Sequence, residues 1–83
     1  MTQYSGLDIQ IIDELNQRAE NITELVELRE FPTVIESEID EAHNWTRRVC
    51  KDEDYDSAIY LSLFDDSIKD AYNYLRLNWN EEI

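Results

Sequence analysis

One glycine, one proline and one cysteine are all that 83 residues hold of the types that build tight turns and covalent frameworks. So little glycine and proline argues against β-hairpins and favours helices joined by short polar links. The lone Cys50 excludes an internal disulfide framework and a cysteine-based zinc site, and it points to a reducing, cytoplasmic compartment. Apolar runs are short: none approaches the roughly 18 residues that a membrane span requires. The opening MTQYSGLDIQII has no basic stretch followed by an apolar one, so no secretory signal is expected. Positive charge is also scarce. Seven Lys and Arg stand against 20 Asp and Glu, for a formal net charge of −13 and a pI near 4.1. That balance argues against direct binding to nucleic acid or docking on anionic lipid.

What is present is apolar enough to fold. Hydrophobic residues make up 42% of the chain and aromatics 11%, too much for a disordered acidic tail. The length suits one domain spanning 1–83, near the lower end of independent stability. Asn21-Ile22-Thr23 and Asn44-Trp45-Thr46 match glycosylation sequons, but without a secretory signal they read as chance matches.

Three helical stripes run along the chain. Ser5 and Asp8 offer a capping pair, after which Ile12, Leu15, Ala19, Ile22 and Val26 recur at three-and-four spacing, widened by Ile11 and Leu25. This predicts a helix from about Leu7 to Arg29, ended by Phe31-Pro32, because a residue before proline is pushed out of the α region. Thr33 and Glu36 form a Thr-x-x-Glu capping box for a second helix. Its stripe is Ile35, Ile39, Ala42, Thr46 and Val49, with Trp45 beside it. The charged segment Lys51 to Asp56 breaks the pattern, and Asp54 or Asp56 can cap a third helix. Leu61, Phe64, Ile68, Ala71 and Leu75, flanked by Ala58, Tyr72 and Trp79, predict that helix from about Ser57 to Asn78. The expected fold is all-α: an antiparallel three-helix bundle with coiled-coil-like seams.

Several constellations bear on chemistry. Asp52, Asp54 and Asp56 open like a calcium loop, but Ser57 stands where a glycine is needed and Leu63 where a bidentate Glu is needed. A solvated helix-capping link is the better reading, and no metal site or cofactor is expected. His43 is the only histidine, and Cys50, on roughly the same helix face, lies about 10 Å further along, too far for a direct hydrogen bond, so neither a usual zinc site nor a Cys–His pair is read. Adjacent acids such as Asp65-Asp66 and Glu81-Glu82 need a pocket that separates their pKa values before they can do acid–base work. A small bundle rarely provides one, so no catalytic residues and no enzyme are read.

The arrangement of the acids is more informative. Glu20, Glu24 and Glu27 lie on one face of the first helix, and Asp13 continues it. Glu36 and Asp40 form a second row, and Asp66 and Asp70 a third. Like charges one turn apart weaken a helix, so such rows without interleaved lysines carry no folding benefit. Their Cβ spacing of about 5–6 Å is comparable to the spacing of phosphates along a nucleic-acid strand. Solubility alone is the plain alternative. Tyr60 and Tyr74 fall outside the predicted inner stripe, and tyrosines beside carboxylates suit a protein interface. The stretch from His43 to Lys51 holds Arg47, Arg48 and Lys51 and no acid. It complements the dipole at the end of the second helix, or it contacts the acidic patch of a second copy in a homodimer.

In size, charge and helicity the whole chain resembles the small acidic inhibitors encoded by phages and mobile elements, among them anti-restriction and anti-CRISPR proteins that imitate nucleic acid. No motif carries the resemblance, so no residue roles transfer. It implies a non-enzymatic cytoplasmic protein that occupies the basic nucleic-acid-binding surface of a host defence complex or nuclease. The expected contact residues are Asp13, Glu20, Glu24, Glu27, Glu36, Asp40, Asp66, Asp70, Tyr60 and Tyr74. A toxin or bacteriocin immunity protein has the same profile. A small adaptor binding through the aromatic third helix is the other alternative.

Overall fold

The computed structural model describes residues 7–78, and its secondary structure is entirely helical. Four helices are described: α1 (Ile9–Glu27), α2 (Pro32–Glu53), α3 (Ser57–Ser67) and α4 (Lys69–Asn78). The expectation of three helices is corrected at one point, the break between α3 and α4. Its cause is local. Ser67 Oγ donates to the Phe64 carbonyl at 2.7 Å, and the Ile68 N–H bonds the Asp65 carbonyl instead. A serine hydroxyl competing for a helical carbonyl bends or ends a helix. Ile68 leaves the helical region (φ −119°, ψ 30°), and its carbonyl then accepts from Ala71 and Tyr72 to start α4.

The helix ends follow the expectation in part. Asp8 itself caps α1, accepting from the Gln10 N–H at 2.9 Å; Ser5 lies outside the described residues. α2 begins with Pro32 at its first position, where the missing N–H removes nothing, and Thr33 lies within the first turn. Asp56 caps α3, accepting from the Ala58 N–H at 3.0 Å. Asp54 serves the end of α2 instead.

Both long helices close in the same way. After α1, the Arg29 N–H bonds the Val26 carbonyl and the Glu30 N–H bonds Leu25. After α2, the Asp54 N–H bonds Lys51 and the Tyr55 N–H bonds Cys50. These are Schellman pairs, which place one residue in the left-handed region where glycine is favoured. Here those residues are Arg29 (φ 57°) and Asp54 (φ 59°). Helix termination in a glycine-poor chain is thus achieved at residues that bear a Cβ penalty.

The helices meet along the predicted stripes. Ile11, Ile12, Leu15, Ala19 and Ile22 of α1 are buried against Ile35, Ile39, Ala42 and Cys50 of α2 and against Phe64, Ile68 and Ala71. Thr46 is fully buried, and its hydroxyl is satisfied by the Ala42 carbonyl at 2.8 Å. Leu25, Val26, Trp45, Val49 and Leu75 pack half-buried around this core. Trp79 lies outside the described residues.

Tyr60 is a correction. It is only 2% exposed, and its hydroxyl accepts the Asp8 N–H at 2.8 Å. Tyr55 reaches the Asp8 carboxylate at 3.4 Å, so the α2–α3 link clasps the start of α1. At the other end, the half-buried Tyr74 donates to the Glu30 carbonyl at 2.9 Å and fastens α4 to the α1–α2 link.

The left-handed residues give a direct test. Arg29→Gly and Asp54→Gly should each stabilise the fold by about 0.5–1 kcal/mol, since relief of the Cβ penalty exceeds the added entropy of the unfolded chain. Urea titrations followed by circular dichroism measure this. Lower midpoints for both variants would show that these side chains hold their turns by other contacts.

Candidate partner-binding surface

The α1 row projects outward because the apolar stripe fixes its phase. Asp13, Glu20, Glu24 and Glu27 are all exposed. Glu20, Glu24 and Glu27 border an open groove of about 560 Å³ with Asn16, Thr23 and Ser67. Ser67 is the residue at the α3–α4 break, so the α1 row runs beside that break. A neighbouring hollow between α1 and α3, lined by Leu15, Leu63 and Phe64, holds only about 80 Å³.

On the other flank, Glu36 and Asp40 of α2 are exposed. Asp40 lies near enough to Tyr72 of α4 for its charge to bear on that hydroxyl. Asp66 of α3 and Asp70 of α4 are exposed. The three rows therefore bracket α3–α4, one on each side and one along it.

Little of this charge is neutralised within the chain. Among the described residues the ion pairs between charged side chains are Arg18–Glu14 at 2.8 Å and Lys69–Asp66 at 3.8 Å, and His43 makes a hydrogen bond to Asp65 at 2.8 Å. Only the Lys69–Asp66 pair touches a row, and it is long and solvent-exposed, hence weak. Asp13, Glu20, Glu24, Glu27, Glu36, Asp40 and Asp70 have no ion pair among the described residues.

One cluster escaped the sequence analysis. Asp65 Oδ1 accepts from Tyr72 Oη at 2.9 Å and from His43 Nε2 at 2.8 Å, while the His43 ring meets Phe64 edge-on at 5.7 Å. The carboxylate only accepts, so His43 carries its proton on Nε2 here. This ties α2 to both sides of the break. Burial of the Tyr72 hydroxyl, its hydrogen bond to Asp65 and the charges of Asp65 and Asp40 raise its pKa well above the ordinary tyrosine value. No periodicity signals this set: His43 and Asp65 are 22 residues apart, and nothing in sequence separates Asp65 from Asp66.

Tyr60 and Tyr74, expected as contact residues, are spent inside the fold, on Asp8 and on the α1–α2 link. Cys50 is buried, and burial followed by the charges of Asp56 and Asp8 raises its thiol pKa. Asp52, Asp54 and Asp56 divide among the last turn of α2, its left-handed terminus and the α3 cap. Among the described residues no three His, Cys, Asp or Glu side chains gather as metal ligands, and no helix is long and apolar enough to cross a membrane. Compared with protein-family models, curated proteins and solved structures, the chain matches none.

The Tyr72–Asp65 bond has a pH signature. A raised folded-state pKa keeps Tyr72 neutral in the fold to higher pH than in the unfolded chain. Its contribution is fully present below the ordinary value of 10.0 and is lost as pH rises beyond it. Melting temperatures should fall above about pH 10, and Tyr72→Phe should flatten part of that fall. An alkaline slope identical in both proteins would remove the bond from the account.

Proposed function

We propose that this chain is a non-enzymatic inhibitor that presents carboxylates in place of phosphates and occupies the basic nucleic-acid-binding surface of a host defence complex or nuclease. The observation that carries the reading is the set of exposed acidic rows bracketing α3–α4 with almost no cation among them. Residues one turn apart in such a row stand about 6 Å apart along the axis. A basic groove built for a phosphate backbone meets charge at similar intervals. In this reading α3 and α4 act as one bent third rod of an antiparallel bundle with coiled-coil-like seams, and the protein works in the cytoplasm. Contact residues are Asp13, Glu20, Glu24, Glu27, Glu36, Asp40, Asp66 and Asp70. The adaptor alternative loses its two named tyrosines to the fold. An immunity protein against a nuclease toxin would use the same surface chemistry, and the captured partner's identity separates the two.

The test begins with capture of partners from host lysate on the immobilised chain. A nuclease or other nucleic-acid-binding complex should be retained, and nucleic acid should displace it. Glu20→Lys, Glu24→Lys and Glu27→Lys combined should abolish inhibition, and the logarithm of the wild-type affinity should fall linearly with log salt. Partners lacking any basic groove, or full inhibition by the triple variant, would overturn the reading.

The free protein should report the same repulsion. Without a partner, the unneutralised rows oppose folding, so added salt should raise the melting temperature at neutral pH by screening them. A melting temperature flat from about 0.01 to about 0.5 M salt would show the acids to be compensated within the fold.

A further inference from the structure

The face formed by α1 and α2 is electrostatically unlike the rest. Arg18 of α1 lies over the Trp45 ring of α2, 5.1 Å from its centroid. Its Nε is 2.8 Å from Glu14 Oε2, an ion pair one turn apart on α1. Arg18, Glu41, Asn44, Trp45 and Arg48 border an open hollow of about 280 Å³. On the other side of Trp45 lies a second hollow of about 250 Å³, bordered by Gln10, Ile11, Val49 and Glu53 among others. Trp45 is thus a half-buried ridge between two depressions.

The charges balance on the Arg18 side of this ridge. Two guanidiniums, Arg18 and Arg48, stand with two carboxylates, Glu14 and Glu41, in a chain whose acids outnumber its Lys and Arg 20 to seven, while the second hollow carries the carboxylates of Asp8 and Glu53. Arg48 and Glu41 border the same hollow and are exposed, yet neither side chain forms an ion pair or hydrogen bond with another described residue. A strongly anionic partner would meet Glu14 and Glu41 here, and a strongly cationic one would meet Arg18 and Arg48. A surface with both signs arranged about a central aromatic fits a copy of itself: Arg48 and Glu41 flank Trp45 on one helix, so a twofold axis at Trp45 lets each face the other's opposite charge.

We propose that the α1–α2 face joins two copies of this chain in a twofold dimer, with Trp45 near the axis and Arg48 of each protomer paired with Glu41 of the other. Tryptophan and arginine are the residue types that most often anchor protein interfaces. Helices of 19 and 22 residues offer a face roughly 28 Å long and two helix widths across, about 500 Å² per protomer and about 1,000 Å² in total, the size of a weak, reversible interface. The acidic rows border α3–α4 and so lie beyond this face. Across two helix layers, about 20 Å, repulsion between the rows of two protomers is damped by a Debye length of about 8 Å at physiological salt. The dimer does not depend on the inhibitor reading, because its assay involves no other molecule.

Sedimentation equilibrium of the purified chain at about 0.15 M salt, from about 1 to 200 µM, should show the mass moving from the 9.9 kDa monomer towards twice that value. Arg48→Glu and Glu41→Arg should each raise the dimer dissociation constant about tenfold or more, since each sets like charges against each other across the axis. The combined variant should recover dimerisation, because the exchanged charges pair again. Circular dichroism verifies that the variants fold, as expected at exposed positions. A monomer throughout, single variants that associate like wild type, or a combined variant that does not recover would each overturn the proposal.

Discussion

Repulsion among carboxylates that the chain cannot neutralise is the constraint to which the rest of the structure answers. With 20 acids and seven Lys and Arg, no folded arrangement can pair them all. The fold keeps the acids outside and opposes their repulsion with a continuous apolar seam: Ile12, Leu15 and Ile22 against Ile35, Ile39, Phe64 and Ile68. Burial of this kind is non-directional and indifferent to the surface charge, so it can sustain an acidic exterior. The charge is nonetheless sorted. Unneutralised rows lie along and beside α3–α4, whereas Arg18 and Arg48 accompany Trp45 on the α1–α2 face.

A small core leaves polar struts to fix the helices against one another. Tyr60 binds the Asp8 N–H at the α1 entry, Tyr74 binds the Glu30 carbonyl beyond its exit, and Asp65 gathers His43 and Tyr72 across the break. Each strut uses a group that would otherwise be left without a partner at a helix end or beside the core. An orphaned group of that sort costs more than an average hydrogen bond gains, which makes these contacts specific as well as stabilising. The same economy takes Tyr60 and most of Tyr74 into the fold, while Tyr72 stays partly exposed with its hydroxyl held by Asp65.

Periodic apolar positions were enough to locate the buried faces. Ile12, Leu15, Ala19 and Ile22, then Ile35, Ile39, Ala42 and Thr46, are inside as their spacing requires, because a helix with one apolar stripe has one way to bury it. The outward phase of Glu20, Glu24, Glu27, Glu36 and Asp40 follows from the same geometry. Helix limits were legible to within a few residues. The left-handed termini at Arg29 and Asp54 were not, since their side chains carry no preference that announces the role.

The sequence by itself thus determined that the chain is helical, which faces are buried and that its exterior is acidic, all consequences of local periodicity and composition. Tertiary structure decided the remainder. Tyr60 and Leu61 both stand at helical spacing from Phe64 and Ile68, and the unpaired N–H of Asp8 selects Tyr60 for the inside. The break at Ser67 interrupts a stripe that reads as unbroken, because one hydroxyl takes the carbonyl that the next turn would have used. The choice of Asp65 over Asp66 as the anchor for His43 and Tyr72 depends on how α2 sits against α3, a relation between helices that no pattern within one helix contains.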